Sequence, residues 1–292
     1  MSAISQHPSG LAPVSTLAVP TWVRRLRPGV ILATLVIAFF VLAVIVPSLL
    51  ATNNPLSINL SATLQAPSWS HIFGTDASGR DLYSRVIYGA RQSLLIGLGA
   101  TGIAVGIAIV LGFASGLAGG IVDGVINRFV EVLFAFPVLL LALLFVAVFG
   151  PSAKTEIIAV GLGTAPGYTR MIRGQVLAVK DSGYVESARA LGHSYRRIVR
   201  RHIFPNAMRP LVVIVTLGVG QSIVWASGLA FLGLGVPPPA PEWGALLDAG
   251  RDFVTQASWL EIMPGVAIVV FALSLTTVGR YIQQRLEGGI TR

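Results

Sequence analysis

The most polar stretch of this 292-residue chain, residues 181–209, carries charges suited to binding another molecule. It reads DSGYVESARALGHSYRRIVRRHIFPNAMR and contains six arginines but only two acids, Asp181 and Glu186. Arginine side chains hold anionic groups through charge-assisted hydrogen bonds. The pattern predicts a docking segment in which the arginines surround a helix, so that some of them face lipid headgroups.

Two short helices joined by a bend are predicted within this segment. Ser182 is a favourable cap for a helix over Tyr184–Leu191, and Gly192 supplies its stop. Ser194 can cap a second helix, whose continuation past Pro205 is disfavoured because proline lacks the backbone donor. The small residues of the first helix leave a shallow surface that another protein can approach closely.

A second charged stretch, residues 74–94, alternates acids and bases beside an apolar run. The charged residues are Asp76, Arg80, Asp81, Arg85 and Arg91. Paired side chains of this kind can order a segment that would otherwise be irregular. We therefore predict a salt-bridged network here.

Catalytic and metal-binding patterns are absent from the sequence. There is no cysteine, and the four histidines, His7, His71, His193 and His202, are too scattered to suggest a metal cluster. No Gly-x-x-x-x-Gly-Lys-Ser/Thr phosphate loop occurs, so ATP would have to be bound by other chains. The sequence predicts a chain that is not an enzyme and holds no metal or cofactor.

The elements that position these stretches are predicted to be membrane helices. Hydrophobic residues make up 54% of the chain and charged residues 11%, far from the balance of soluble domains. The net charge of +9 is concentrated in loops beside apolar runs, a pattern that suits anionic lipid and not nucleic acid. The sequence therefore predicts an all-α integral membrane protein.

Six apolar runs are long enough to cross a bilayer. They cover residues 30–50, 93–117, 129–149, 156–177, 210–232 and 261–281. The predicted organisation is a disordered cytoplasmic tail (1–27), a first membrane helix (28–50), an external loop (51–92), a core with five membrane helices (93–281) and a cytoplasmic tail (282–292). The polar segment 181–209 lies within the core, between the fourth and fifth runs.

The distribution of basic residues predicts the orientation. With six spans and both termini in the cytoplasm, sixteen of the 21 Lys and Arg residues lie on the cytoplasmic side. Five lie outside, namely Arg80, Arg85, Arg91, Lys154 and Arg251. An excess of basic residues inside is the usual arrangement, so segment 181–209 is predicted to be cytoplasmic.

Segment 181–209 resembles the EAA loop of bacterial ABC importer permeases. Glu186, Gly192 and Pro205 match its Glu-Ala-Ala, Gly and Ile-x-Leu-Pro spacing, while Ser187 replaces an alanine. In that family the loop is a coupling helix that inserts into a cleft of the ATP-binding subunit. The resemblance implies ATPase-coupling roles for Tyr184, Glu186, Ser187, Ala188, Arg189, Ala190, Leu191, Gly192, Arg196 and Pro205.

Two further stretches are similar to the dipeptide, oligopeptide and nickel branch of these permeases. The first is close to GTDxxGRDxxSRxxxGARxSL and supplies Gly74, Thr75, Asp76, Gly79, Arg80, Asp81, Ser84, Arg85, Gly89 and Arg91. The second is close to FLGLGVxPPxPEWG and supplies Pro241, Glu242, Trp243 and Gly244. Docking or gating beneath a substrate-binding protein is one interpretation of these signatures, and structural ordering is the other.

The resemblance implies the second permease subunit of a peptide-type ABC importer, with the type I permease fold. It also implies a heterodimer with another permease chain, two ATP-binding subunits that use ATP and Mg, and an extracytoplasmic substrate-binding protein. The location would be the bacterial cytoplasmic (inner) membrane, with membrane lipid around the chain and no nucleic acid. The cargo would be a di- or oligopeptide; nickel, haem or another small solute is the alternative.

Two other classes of function are weighed against this one. A secondary transporter usually needs carboxylates near the bilayer centre, and a membrane-embedded enzyme needs clustered polar groups there. The candidate acids Glu131, Glu156 and Glu261 all map near the ends of apolar runs. The polar residues Gln221, Ser222 and Trp225 are candidates for a translocation path, although hydrogen bonding between helices explains them equally well.

Overall fold

A computed structural model describes residues 28–287, and its regular elements are helices. They are α1 (Pro28–Ile45), α2 (Pro47–Leu50), α3 (Leu82–Ala118), α4 (Gly120–Ala135), α5 (Val138–Phe149), α6 (Ala153–Lys180), α7 (Gly183–Ala190), α8 (Tyr195–Ile198), α9 (Phe204–Met208), α10 (Leu211–Leu229), α11 (Trp243–Arg251) and α12 (Trp259–Glu287). A 3₁₀ turn covers Leu60–Ala62, and π turns cover Val199–Ile203 and Ala230–Leu234. The predicted all-α class is confirmed. The predicted tail at 1–27 lies outside the described residues, as do residues 288–292 of the predicted tail 282–292, whereas residues 282–287 continue α12.

Four helical stretches among residues 28–287 are long and apolar enough to cross a membrane. They are Pro28–Ile45, Leu82–Ala118, Val213–Leu234 and Trp259–Arg285. A fifth is reached if α4 and α5, which meet at 86°, count as one broken span. The fourth predicted run is helical in α6, but α6 is not apolar enough to join this set because it carries glycines and polar residues.

The sharp bend between α4 and α5 lies at Phe136 and Pro137. Pro137 precedes the first residue of α5, and Phe136 adopts an extended backbone. A proline disfavours helical backbone in the residue before it. The sequence predicts a kink at Pro137, which lies within the apolar run 129–149, and the structure confirms it as a full break in the helix.

The longest helix, α3, packs mainly against α6. A Cβ at Gly112 would come within 2.9 Å of Ile172, and a Cβ at Gly116 within 2.7 Å of Val176. Two Gly-x-x-x-Gly pairs in the apolar run 93–117 predict close helix contact, and the pair of Gly112 and Gly116 permits it. The second pair, Gly102 and Gly106, serves no such contact, because a Cβ there would meet no described atom within 4 Å.

Helix α3 begins at Leu82, inside the stretch predicted to be the external loop 51–92. Its first turns include the buried residues Leu82, Val86 and Ala90, which pack with α1, α11 and α12. At 37 residues the helix is about 55 Å long, longer than the hydrocarbon core of a bilayer. The apolar run in the sequence indicated only the part of α3 that lipid can surround. Contacts with α1, α11 and α12 stabilise the rest of the helix.

Much of the apolar surface is not covered by the chain itself. Large exposed side chains run along α1, α4, α5 and α12, for example Leu32, Leu140, Val148 and Leu273. A soluble monomer rarely exposes apolar area on this scale. This surface suits lipid and a neighbouring membrane subunit.

Candidate functional site

The predicted coupling segment folds as α7, a tight turn, α8, a π turn and α9. Helix α7 buries Val185 and Ala188 in an apolar cluster that also contains Ile172 and Val176 of α6. Its other face is open, with Tyr184 46% and Leu191 76% exposed at the two ends. The remaining predicted coupling residues of α7, Glu186, Ser187, Arg189 and Ala190, are also exposed. The helix is thus anchored on one face and free to dock on the other.

Gly192 ends α7 in a defined geometry. Its φ of +74° is in the left-handed region, which residues with a Cβ rarely adopt. The amide of Gly192 donates to the carbonyl of Arg189, and the amide of His193 donates to that of Ala188. These two bonds form a Schellman motif, so the helix end predicted at Gly192 is confirmed.

The predicted end of the second helix at Pro205 is wrong. The chain stays helical to Met208, with Pro205 in the first turn of α9. The preceding turn, Val199–Ile203, is a π turn closed by the amide of Phe204 donating to the carbonyl of Val199. A proline in a first turn needs no intrahelical donor, and the wider turn restarts the helix around it.

Helix α6, on which α7 packs, is tied to α3 and α4 through Arg173. Its guanidinium donates from Nε to Asp123 Oδ1 (2.7 Å) and from Nη2 to Asp123 Oδ2 (2.6 Å). Ser115 of α3 also donates to Asp123, so α3, α4 and α6 meet at one carboxylate. Lys180, the last residue of α6, donates to the carbonyls of Gly116 and Leu117. Arg173 and Lys180 therefore join α6, on which α7 packs, to α4 and α3.

At the other end of α3, the first external signature forms a compact loop. Asp76 accepts from Arg80 Nε at 2.7 Å and lies 3.6 Å from Arg85 Nε, so part of the predicted network is present. Gly74 and Gly79 take positive φ values in the turns beside Thr75, whose backbone pairs with that of Asp81. Arg91 is exposed and makes no ion pair with any described residue.

Asp81 caps α3 and does not join the arginines. Its carboxylate accepts from the amide and hydroxyl of Ser84, and its Oδ1 lies 2.9 Å from His71 Nδ1. Burial raises the pKa of Asp81, but the hydrogen bonds from Ser84 and His71 outweigh burial and hold that pKa below its usual value. The histidine was not foreseen as a partner, although its position in the same stretch of sequence was the available signal.

The second external signature packs against the first and is hydrogen-bonded to it. Ser93 Oγ donates to Glu242 Oε1 (2.8 Å) and accepts from the amide of Trp243 (3.0 Å). Glu242 also caps α11 through the amide of Ala245, and burial raises the pKa of its carboxyl. A Cβ at Gly89 would lie 1.9 Å from the carbonyl oxygen of Pro241, so only glycine allows the approach.

Trp243 is the centre of this contact. It is fully buried, and its indole N–H donates to the carbonyl of Val86 at 2.8 Å. The ring packs edge to face with Phe40 of α1 and Phe271 of α12. Gly244 follows it and lies against Ser227 of α10. The second signature thus joins α1, α3, α10 and α12.

The three residues considered for a translocation path have different surroundings. Gln221 is exposed on α10 in line with Val224 and Gly228, which are exposed as well. Ser222 is fully buried and accepts from Thr101 Oγ1 of α3 at 3.0 Å. Trp225 is partly buried and packs on the cluster around Ile96 and Val160. Hydrogen bonding between helices accounts for Ser222, while Gln221 faces open space.

The structure also shows burial that the sequence did not indicate. Glu156, in the first turn of α6, is fully buried, and neither of its carboxylate oxygens has a hydrogen-bond partner among the described residues. Glu131 is exposed beside Arg128, as its position near a helix end suggested. Within residues 28–287 no group of three or more potential ligand side chains is placed to hold a metal ion.

Known proteins resemble this chain in sequence and in fold. Residues 108–292 match the family described as "Binding-protein-dependent transport system inner membrane component". The chain is 37% identical to the dipeptide transport system permease protein DppC of Alkalihalophilus pseudofirmus, over 88% of this chain and 84% of the relative. It is 44% identical to the glutathione transport system permease protein GsiD of Shigella flexneri, over 76% and 73%.

Solved structures at low sequence identity share the fold. One is the crystal structure of an amino acid ABC transporter with histidines (TM-score 0.58, 18% identity, 69% of this chain and 94% of that one). Another is an inward-facing conformation of the MetNI methionine ABC transporter (TM-score 0.56, 17% identity, 71% and 97%). The chain therefore belongs to the family of inner-membrane components of binding-protein-dependent transport systems, as a multi-pass, non-catalytic permease of the bacterial inner membrane.

Proposed function

We propose that this chain is one of two permease subunits through which an ATP-driven importer moves di- or oligopeptides into the cell. The observation that carries the proposal is the open face of α7, which presents Tyr184, Glu186 and Leu191 while Val185 and Ala188 hold the helix on α6. A short helix anchored on one face and exposed on the other is suited to docking in a cleft of a partner protein.

The partners follow from the same assignment. Two ATP-binding subunits, which carry ATP and Mg, would each receive one coupling helix on the cytoplasmic side. A second, different permease chain would cover part of the exposed apolar surface, and an extracytoplasmic binding protein would deliver cargo at the signature end of α3. The predicted orientation, with both termini in the cytoplasm, places α7 and the two signatures on opposite sides of the membrane.

In the proposed mechanism, movement of α7 is transmitted through packed helices to the external signatures. Closure of the ATP-binding dimer moves α7, which packs on α6. Helix α6 is in turn joined to α3 and α4 through the Arg173–Asp123 pair and Ser115. Because α3 spans from this pair to the signature loops, its displacement reaches the external side. Rigid helices that rock about packed contacts are a common form of such transitions.

Peptide is the proposed cargo because relatives of this chain are named for dipeptide and glutathione transport. Nickel, haem or another small solute is the alternative cargo, and uptake of peptides, nickel and haem is measured separately. Gln221 is proposed to line the path, since it is exposed on α10 and carries an amide able to bond a peptide backbone.

The test uses the complete complex in sealed vesicles, with ATP hydrolysis and uptake measured together. The Glu186→Ala/Leu191→Ala variant removes two exposed groups from α7, and Glu131→Ala/Val132→Ala removes a matched exposed pair from α4. We expect the α7 variant to lose about tenfold in ATP-dependent uptake, as for loss of an interface anchor, and the α4 variant to keep it.

Equal uptake by both variants would show that α7 is not the coupling element. Uptake is measured separately for labelled dipeptide, tripeptide, nickel and haem. ATP-driven uptake of nickel or haem but not of peptides would overturn the cargo assignment and leave the permease assignment standing.

A further inference from the structure

Four arginines next to the coupling helix form one surface. Arg196, Arg197, Arg200 and Arg201 are all exposed, and together with Ser194 they line a cleft of about 430 Å³. None of them makes an ion pair with an acid among residues 28–287. Four positive charges are therefore held close together without compensation from the described chain.

The π turn explains why these arginines share a surface. In a π turn the backbone bond runs from residue i to i+5, which brings residues five apart to nearly the same face. Ile198 and Ile203 are five apart, and both are buried in the cluster beneath α7. With this face fixed inward, the arginines are presented outward together, whereas the sequence suggested that they surround the helix.

The cleft lies at the start of a membrane-crossing helix. Nine residues, which include α9, separate Arg201 from α10, which begins at Leu211 and contains the apolar stretch from Val213. Phe204, 44% exposed, follows the arginines and packs against Phe113 of α3. An exposed apolar side chain near a basic cluster suits the boundary between lipid acyl chains and anionic headgroups.

We propose that this arginine cleft, residues 194–201, binds the phosphate of an anionic phospholipid headgroup. The planar guanidinium group bonds two phosphate oxygens at once, and adjacent arginines can share one headgroup. The ligand is a lipid and not a free anion because the cleft precedes a membrane-crossing helix in the chain, and the exposed side chain of Phe204 lies between the arginines and that helix in sequence. Anionic lipid would thereby fix the segment that follows the coupling helix.

The test titrates the purified complex in detergent with short-chain phosphatidylglycerol and counts bound lipid by native mass spectrometry. Short-chain phosphatidylcholine is the neutral comparison. The test variant is Arg197→Gln/Arg200→Gln/Arg201→Gln, and the matched control, Arg128→Gln/Arg280→Gln/Arg285→Gln, removes three exposed arginines elsewhere. We expect the test variant to bind phosphatidylglycerol at least about tenfold more weakly, and the control to bind it as the wild type does.

Three results would overturn the proposal. An equal loss in both variants would indicate general charge attraction, and competition by millimolar inorganic phosphate would indicate a small-anion site. Unchanged lipid binding with loss of the ATP-binding subunits from the spectrum would assign the cleft to a protein partner. If the glutamine variant does not assemble, Arg197→Lys/Arg200→Lys/Arg201→Lys retains the charge; it must bind phosphatidylglycerol more weakly than wild type, because lysine lacks the two-pronged contact.

This inference does not depend on peptide cargo or on coupling through α7. Lipid binding is measured without ATP and without transport. Unchanged lipid binding by the arginine variant would overturn the cleft assignment alone, and unchanged uptake by the α7 variant would overturn the proposed function alone.

Discussion

The hydroxyl of Ser93 donates a 2.8 Å hydrogen bond to the carboxylate of Glu242, 149 residues away in sequence. Both groups are buried, and the same hydroxyl accepts from the amide of Trp243. One side chain of α3 thus holds the start of α11 in place. The two external signatures, which read as separate motifs in sequence, form one structural unit.

Removing this bond should destabilise the protein. Ser93→Ala leaves the Trp243 amide and one Glu242 oxygen without their partner in a buried site, which costs about 1–3 kcal/mol. The measurement is thermal unfolding of the purified protein in detergent, with Ser57→Ala as the exposed control. In Ser93→Ala/Glu242→Gln the two losses should be less than additive, because the mutated residues share the bond. Additive losses would contradict a direct contact.

Gly89 and Gly102 provide a matched pair within α3. Gly89→Ala places a methyl group 1.9 Å from the Pro241 carbonyl and must push the second signature away, whereas Gly102→Ala meets no described atom within 4 Å. We expect Gly89→Ala to lower the unfolding temperature and uptake, and Gly102→Ala to be neutral or to stabilise by about 0.5–1 kcal/mol through helix propensity. If the two variants behave alike, the close approach of Gly89 to Pro241 does not hold the two signatures together.

The turn at Gly192 sets the exit of the chain from α7. Gly192→Ala forces a Cβ into left-handed backbone at a cost of about 1–2 kcal/mol. Gly183→Ala, at the first residue of α7, meets no described atom within 4 Å and should be tolerated. We expect the first variant alone to weaken uptake in vesicles relative to ATP hydrolysis. Normal uptake per ATP in Gly192→Ala would show that this turn does not position α7.

The Arg173–Asp123 pair should matter more than the exposed pair Arg128–Glu131. The side chains of the first pair are 30% and 22% exposed, against 82% and 54% for the second. Asp123→Asn is expected to cost about 1–3 kcal/mol of stability and to reduce uptake, while Glu131→Gln costs at most about 1 kcal/mol. Unfolding temperature and ATP-dependent uptake are measured for both. A larger effect of Glu131→Gln would remove the pair from the proposed transmission.

Substitutions at Gln221 and Ser222 should have different effects. The first should alter transport, and the second should alter stability. Gln221 is exposed, so Gln221→Leu should leave the unfolding temperature unchanged and alter the KM for peptide uptake. Ser222→Ala removes the acceptor of Thr101 and should cost about 0.5–1.5 kcal/mol without changing KM. If Gln221→Leu leaves KM unchanged, Gln221 is not part of the path.

The sequence by itself determined the helical membrane class, the permease family and the helix breaks at Gly192 and Pro137. Apolar run length and the scarcity of charge indicate membrane helices, since uncompensated polar groups are costly in lipid. Gly192 and Pro137 act through their own backbone restrictions, so their effects are visible locally. These features depend on neighbours in sequence, which is why they could be foreseen.

Tertiary structure decided which residues of the sequence motifs contact one another. The sequence grouped Asp81 with Arg80 and Arg85, but Asp81 caps α3 and pairs with His71. It treated Ser93 and Glu242 as separate, and it suggested that the arginines of residues 196–201 surround a helix. Packing reversed each of these expectations, because the burial of Trp243, Ile198 and Ile203 fixes the direction of the polar groups beside them. Which side faces inward depends on contacts from distant helices, and local sequence does not encode them.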